Sequence, residues 1–290
     1  MTPSDHIRKV GVIGAGTMGG GIAHVFAQHG FSVVLVDSVD GALQNARATI
    51  SGNLDRQIKK QVIPAGDKDA ILGRITATLD LKATAGCQLI IEAISENLDA
   101  KLRLIGSLNG WCGDDTIVAT NSSSLPITRL AAAAKHPDRF IGMHFMNPVP
   151  VMKLVEIIRG HQTSESTYEI VVDLCGRLGK TGVGVNDYPG FVSNRILMPM
   201  LNEAMYCVME GVAEPAAIDE VMKLGMAHPM GPLALADFIG LDVCLAIMNV
   251  LYEGLGDSKY RACPLLRKMV YAGDLGRKTG RGFYSYAATA

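Results

Sequence analysis

The sequence predicts an α/β fold, in which a doubly wound, mainly parallel sheet is followed by an all-α C-terminal domain. Short apolar runs alternate with helical patterns over the first part of the chain, and these runs lack the polar alternation of half-exposed strands. Beyond the segment 186–190, which contains Pro189 and Gly190, only helical periodicity continues. We therefore expect two domains, residues 1–187 and residues 188–290.

The order of elements follows from where each apolar period begins and ends. The predicted strands are 10–13, 33–36, 89–92, 117–119, 140–144, 151–158 and 182–185. Helical patterns cover 41–61, 98–108 and 167–178, and the alanine run 131–134 is also expected on a helix. Pro148 and Pro150 favour a break or an antiparallel pair between two late strands. The second domain is predicted to contain helices 191–211, 215–224, 233–238, 241–253 and 264–272.

Composition excludes several classes of protein. Hydrophobic residues make up 48% of the chain, charged residues 19%, and the formal net charge is -1, so neither disorder nor a nucleic-acid or membrane partner is indicated. The six cysteines are dispersed without a Cys-x-x-Cys pair, which favours reduced thiols and no metal site.

No apolar stretch reaches the ~18 residues of a membrane helix. The short N-terminal segment leaves no room for a signal peptide, so a cytoplasmic protein is expected.

A glycine-rich turn, Gly14-Ala15-Gly16-Thr17-Met18-Gly19, follows the first predicted strand. Gly14 can adopt a tight turn, Gly16 has no side chain to block a pyrophosphate, and Gly19 lets the next helix pack closely on the strand. The N-terminus of that helix presents unpaired N–H groups to phosphates. This context predicts a Rossmann-type dinucleotide-binding domain.

Asp37 ends the second predicted strand, about 20 residues after the glycines, where a carboxylate can accept hydrogen bonds from an adenosine ribose. A 2′-phosphate would meet the negative charge of Asp37, and no arginine follows it directly. The sequence therefore predicts NAD rather than NADP as the cofactor.

Polar residues follow three later strands, in the segments 92–97, 120–125 and 142–148. Open α/β sheets bind ligands at the carboxyl ends of their strands, so these segments are expected at one site. Together with the glycine turn they resemble the L-3-hydroxyacyl-CoA dehydrogenase family, and most closely its short bacterial 3-hydroxybutyryl-CoA dehydrogenases. The resemblance spans nearly the entire chain and also includes Glu156, 189–195, 228–232 and the closing 278–284.

The resemblance implies that His144 is the general acid and base, that Glu156 orients it, and that Ser123 and Asn194 bind the substrate oxygen. Oxidation of a secondary alcohol needs a base near neutral pKa beside the hydroxyl, which suits a histidine. Residue type alone does not separate Ser123 from its two neighbouring serines; only the alignment does. The remaining histidines considered, namely His24, His29, His136 and His161, are expected to be surface or capping residues.

The resemblance also implies the ligand contacts. NAD is expected to contact residues from the turn, the strand ends and the second domain: Gly14, Gly16, Met18, Gly19, Asp37, Ile94, Glu96, Lys101, Ser123, Asn147 and Lys278. The phosphates of an acyl-CoA substrate would meet Lys59 and Lys60, although Asn53 stands where related enzymes have a serine. A homodimer formed through the helical domain is expected from the same resemblance.

Three functions remain open on the sequence alone. The leading interpretation is an NAD-dependent dehydrogenase that interconverts short-chain (S)-3-hydroxyacyl-CoA and 3-oxoacyl-CoA. A related enzyme that oxidises a free hydroxy acid, as gulonate 3-dehydrogenases do, would keep the same fold and the same four polar residues. A non-catalytic NAD-binding relative is the third, and the intact acid–base set argues against it.

Overall fold

The computed structural model describes residues 2–286. The chain divides into two compact units, Met1–Asp187 and Tyr188–Ala290. The first contains a sheet with helices on it and the second is helical, so the predicted α/β class with an all-α C-terminal domain is confirmed.

In its described part, from residue 2 onward, the first unit contains eight strands and six α-helices. The strands are β1 Lys9–Ile13, β2 Ser32–Val36, β3 Ile75–Thr78, β4 Leu89–Glu92, β5 Ile117–Thr120, β6 Phe140–Phe145, β7 Leu154–Arg159 and β8 Thr181–Asn186. The helices are α1 Thr17–Gln28, α2 Asp40–Lys59, α3 Asp67–Gly73, α4 Leu98–Leu108, α5 Ile127–Ala131 and α6 Glu165–Arg177. The sheet has the order β3-β2-β1-β4-β5-β6-β7-β8.

Neighbouring strands of this sheet are parallel except β6 and β7, which are antiparallel. The loop between these two strands contains Pro148 and Pro150, where the sequence favours such a change of direction. Every residue of β4, β5 and β6 is buried, as expected for strands covered on both faces. The strand order reverses direction between β1 and β4, which creates a crevice at their carboxyl ends.

Some sequence-based assignments were wrong. The segment 151–153, predicted as strand, precedes β7, which begins at Leu154. Pro150 has no N–H group to donate to a ladder, and Val151 is 70% exposed in a turn. Of the alanine run 131–134, which was expected on a helix, only Ala131 is helical, as the last residue of α5. His24, predicted as a surface or capping residue, lies on the inward face of α1 and is fully buried, and burial lowers its pKa to about 4. Strand β3 was not predicted.

The second unit contains α7 Ser193–Met209, α8 Pro215–Gly225, α9 Pro232–Ile239, α10 Leu241–Leu255 and α11 Pro264–Ala272. Its core is made of apolar side chains that include Met198, Met205 and Met248. The six cysteines are free thiols. No single helix among residues 2–286 is long and apolar enough to cross a membrane; only α9 and α10 together, bent by 97°, meet that test by length and composition.

Two buried aspartates of the second unit hold its closing segment. Asp237, fully buried in α9, accepts hydrogen bonds from Phe283 N at 3.0 Å, Tyr284 N at 3.0 Å and the Tyr286 hydroxyl at 2.9 Å. Asp219 accepts a further bond from the Tyr284 hydroxyl at 2.8 Å. The segment 278–284, which the sequence singles out, is therefore attached to α8 and α9 through carboxylates.

Candidate active site

The glycine turn joins β1 to α1 at the crevice in the sheet. Gly14 has φ +101°, and a Cβ there would lie 2.5 Å from the Ala93 carbonyl oxygen. A Cβ on Gly19 would lie 1.8 Å from the Gly14 oxygen, so the protein's own atoms require glycine at both positions. A Cβ on Gly16 would meet nothing within 4 Å. The space at Gly16 is therefore open for close approach of a ligand.

Asp37 directly follows β2 and lies beside the glycine turn. Its two carboxylate oxygens accept hydrogen bonds from Ala15 N at 2.7 Å and Val39 N at 2.9 Å. These bonds fix the carboxylate beside the glycine turn, where it can accept hydrogen bonds from ribose hydroxyls.

A cavity of about 340 Å³ opens at the turn, lined by residues of α1, α2 and the β6–β7 loop that include Gly16, Thr17 and Asn147. Gly16 and Thr17 form the start of α1, whose N-terminus favours anionic groups. The open glycine, the helix N-terminus and the fixed Asp37 fit a dinucleotide cofactor. Among residues 2–286, no cluster of His, Cys, Asp and Glu side chains could hold a metal ion.

His144 and Glu156 form a buried pair on β6 and β7. They are register partners in the antiparallel ladder, and His144 Nδ1 lies 2.8 Å from Glu156 Oε2. Because a carboxylate can only accept, Nδ1 donates this hydrogen bond. His144 is 8% exposed and Glu156 2%. The bond fixes the orientation and tautomer of the ring and directs Nε2 away from the carboxylate.

A buried ion pair lies behind the strand ends. Glu92, the last residue of β4, is fully buried and accepts hydrogen bonds from Lys101 Nζ at 2.6 Å, Ile94 N at 2.7 Å and Thr120 Oγ1 at 2.6 Å. Lys101 Nζ also lies 3.4 Å from Glu96 Oε2. The Lys101 ammonium, expected at the cofactor, is therefore buried and lies between the carboxylates of Glu92 and Glu96.

Glu96 organises the three consecutive serines. Its Oε1 accepts hydrogen bonds from the Ser122 hydroxyl at 2.6 Å, Ser123 N at 2.8 Å and Ser124 N at 3.1 Å. Burial alone would raise the pKa of Glu96, but the Lys101 charge and these donors outweigh it and hold the pKa below its ordinary value. Ser122 and Ser124 are buried and Ser123 is half-buried. Of the three hydroxyls, that of Ser123 is the most accessible to a ligand.

The other expected ligand residues are distributed as follows. Met18 and Ile94 are half-buried near the turn and after β4, and Asn147 is exposed in the β6–β7 loop. In the second unit, Asn194 is buried in the first turn of α7, and Lys278 pairs with Asp242 at the start of α10.

The C-terminal end of α2 lines a second cavity of about 350 Å³. Lys60, the C-cap of α2, lines it together with Asn53 and Arg56 of α2 and residues of the β6–β7 loop. Lys59 is exposed at the last turn and does not line this cavity. Of the two lysines expected at the CoA phosphates, only Lys60 therefore lines this cavity.

The sequence placed Glu92 and Thr120 in polar segments at the site but did not predict the bond between them, and it did not single out Arg56. An acid ending an otherwise apolar strand is the signal for Glu92, since a buried carboxylate needs a partner. Arg56 lies four residues before Lys60, the spacing that places two side chains on one helix face. The Thr120 bond depends on the β4–β5 register, in which Glu92 and Thr120 are partners, and no local pattern reveals it.

Comparison with known proteins agrees with this geometry. Residues 9–188 match the family described as "3-hydroxyacyl-CoA dehydrogenase, NAD binding domain", and residues 190–286 match "3-hydroxyacyl-CoA dehydrogenase, C-terminal domain". A probable 3-hydroxybutyryl-CoA dehydrogenase of Deinococcus radiodurans is 59% identical over 96% of this chain and 100% of its own length. The 3-hydroxybutyryl-CoA dehydrogenase of Bradyrhizobium diazoefficiens is 55% identical over 97% and 96%.

A solved structure, the (S)-3-hydroxybutyryl-CoA dehydrogenase of Ralstonia eutropha, superposes with a TM-score of 0.94 at 52% identity, covering 97% of this chain and 99% of that one. The first unit carries the crevice, the glycine turn and the buried His144–Glu156 pair, an arrangement suited to acid–base chemistry beside a dinucleotide. Since the matches extend over both units and agree with that chemistry, the chain belongs to the 3-hydroxyacyl-CoA dehydrogenase family and uses NAD.

Proposed function

We propose that this chain interconverts (S)-3-hydroxyacyl-CoA and 3-oxoacyl-CoA with NAD, preferring short chains such as 3-hydroxybutyryl-CoA. The observation that carries the proposal is the buried His144–Glu156 pair, with 2.8 Å between Nδ1 and Oε2, on the strand that leads into the cofactor crevice. The names of the relatives at 59% and 55% identity support the substrate.

The chemistry separates into a hydride and a proton. Bound NAD supplies the hydride acceptor. His144 takes the hydroxyl proton through Nε2 as the carbon is oxidised, and returns it to the oxygen in the reduction. Glu156 holds the ring by Nδ1 and stabilises the imidazolium that forms during oxidation. The pair therefore couples proton movement to hydride transfer.

Ser123 and Asn194 are proposed to donate hydrogen bonds to the substrate oxygen. Donors that are already in place stabilise the developing alkoxide without reorganisation. The bonds of Ser123 N and of the two flanking serines to Glu96 support this, because they hold the serine segment in one conformation. Asn194 keeps the role that the family resemblance implies.

The CoA carrier is proposed to lie along α2. Lys60 and Arg56 present positive charges to the cavity of about 350 Å³, which suits phosphates, and Asn53 lies at its junction with the turn cavity. A free hydroxy acid has no phosphates for these cations. The α2 charges and the names of the relatives therefore favour a CoA thioester over the free-acid alternative.

A cytoplasmic homodimer is part of the proposal. Exposed apolar side chains of the second unit, Leu224 at 79% and Val221 at 63%, support association of the helical units. The six free thiols suit a reducing compartment. Sedimentation as a monomer at micromolar concentration would contradict the dimer.

The direct test is NADH oxidation on addition of acetoacetyl-CoA. We expect turnover by the wild-type chain, loss of about 1,000-fold or more in kcat for His144→Ala, and retained NADH binding by fluorescence. His161→Ala, an exposed histidine outside the site, is the control and should keep wild-type turnover. Retained activity in His144→Ala would refute the assignment of the acid and base.

A further inference from the structure

Lys180 is a buried lysine that the proposed chemistry does not use. It lies between α6 and β8, is 9% exposed, and its ammonium donates hydrogen bonds to the Val149 carbonyl at 2.7 Å and the Met152 carbonyl at 2.6 Å. Burial lowers the pKa of Lys180 from its ordinary value of 10.5. Burying an ammonium costs free energy unless its N–H groups form hydrogen bonds. The burial of Lys180 therefore indicates that its bonds to these two carbonyls have a structural role.

Both acceptors belong to the β6–β7 loop, residues 146–153. Pro148 and Pro150 have no N–H group and cannot join a strand ladder, so this part of the loop is held in other ways. Next to Lys180, Thr181 N donates to the Lys153 carbonyl at 2.8 Å. The loop is therefore attached to the start of β8 along one side.

The opposite side of the same loop forms the wall of the two cavities. Pro148 and Pro150 line both the turn cavity and the α2 cavity, and α2 forms the facing wall. Val149 contacts α1 so closely that a Cβ on Gly21 would lie 2.9 Å from the Val149 Cβ. The loop is thus bonded to Lys180 on one side and packed against α1 on the other, which restricts its movement.

We propose that Lys180 is a positioning residue for the substrate: by holding the carbonyls of Val149 and Met152 it sets the distance between the β6–β7 loop and α2, and so the width of the groove for the nucleotide tail of the CoA thioester. This inference rests on the proposed function. The two bonds of Lys180 go to the loop backbone and not to the acid–base pair, so Lys180 acts on substrate binding and not on the chemical step.

The test compares two thioesters of acetoacetate, that of CoA and that of N-acetylcysteamine, which keeps the reacting carbons and lacks the nucleotide. Lys180→Met keeps the length of the side chain and removes the donors. We expect KM for the CoA thioester to rise about tenfold, with kcat at saturating NADH within about twofold of wild type. The kcat/KM for the truncated thioester should change less than about twofold.

Lys153→Met is the matched control, because it removes a neighbouring exposed charge and leaves both bonds of Lys180 in place. It should keep the wild-type KM. Lys180→Arg, which retains charge and donors, should recover part of the loss. A wild-type KM in Lys180→Met, or an equal loss for both thioesters, would overturn the proposal.

Gly21→Ala tests the same loop from its other side, and it applies even if Lys180→Met does not fold. The added methyl would displace Val149, while alanine is favoured over glycine within a helix. At saturating NADH it should raise KM for the CoA thioester as well, and a wild-type KM would contradict the role of the loop. Absence of turnover with acetoacetyl-CoA by the wild-type chain would instead refute the proposed function.

Discussion

His144 and Glu156 are register partners across β6 and β7, and the 2.8 Å between Nδ1 and Oε2 joins them at the one antiparallel step among the described strands of the sheet. Directly opposite residues of an antiparallel pair place their side chains on the same face of the sheet. The pair is therefore positioned by two buried strands rather than by mobile loops, which fixes the ring before a substrate binds.

Glu156→Gln should lower kcat by about 100- to 10,000-fold, because the amide keeps the shape of the carboxylate but loses the charge and can leave the ring in the wrong tautomer. The affinity for NADH should not change. Steady-state oxidation of NADH with acetoacetyl-CoA gives kcat, and fluorescence titration gives the NADH affinity.

Glu165→Gln is the control for that variant. Glu165 begins α6 and forms a surface ion pair with Arg159, so its loss should leave kcat unaltered. Wild-type kcat in Glu156→Gln would show that the ring does not depend on this carboxylate.

Ser122→Ala and Ser123→Ala should separate stability from catalysis. Ser122 is fully buried and its hydroxyl donates to Glu96, so its removal should cost about 1–3 kcal/mol in the free energy of unfolding. Ser123 is half-buried, and its removal should lower kcat about tenfold or more with little change in stability. Urea unfolding and steady-state kinetics of both variants check this. The reverse pattern would assign the substrate contact to Ser122.

Asp37 should make the enzyme discriminate against NADPH. The 2′-phosphate would lie near the fixed carboxylate, and opposed like charges cost several kcal/mol, so NADPH should bind about 100-fold or more weakly than NADH. Asp37→Ala should bring the affinities for NADH and NADPH closer together. Asp40→Ala, an exposed acid in the first turn of α2, should leave their ratio as in wild type. Equal affinities for the two cofactors in the wild-type chain would contradict the assignment.

Local sequence patterns predicted the parts of the fold that depend on apolar runs and on glycine. β4 and β6, which carry Glu92 and His144, are fully buried, and β2, which Asp37 follows, is buried except at Ser32. The ends of these strands place the polar residues at one edge of the sheet. Strand β3 escaped prediction because it is an edge strand with two exposed residues and no apolar run. Val151 and Met152 look like a strand in sequence, but both are exposed in a turn after Pro150.

The site was less predictable where it depends on partners far apart in sequence. Alignment singled out Ser123, whereas its separation from Ser122 in the structure depends on where Glu96 lies. Lys101 was expected at NAD and Lys180 was not singled out in the sequence, and both are buried by carboxylates and carbonyls that only the folded sheet brings to them. Burial of a charge is decided by tertiary partners, which periodicity does not reveal.

Tyr286 should make the stability of the protein depend on alkaline pH. Burial, and then its hydrogen bond to Asp237, raise the pKa of Tyr286 from 10 to about 12. Between these values the unfolded chain has lost the phenol proton and the folded chain keeps it, so the free energy of unfolding falls as pH rises. Burial, and then its bond to Asp219, also raise the pKa of Tyr284, which adds to the same loss.

Tyr286→Phe removes this linkage. The variant should be less stable than wild type near neutral pH, where the bond to Asp237 is intact, and its stability should fall less steeply between about pH 10 and pH 12. Tyr271→Phe is the control, since Tyr271 is 80% exposed and should leave the slope as in wild type. Urea midpoints measured at a series of alkaline pH values give the slopes. A Tyr286→Phe slope equal to that of wild type would show that the Tyr286 phenol does not hold its proton in the folded state above its ordinary pKa.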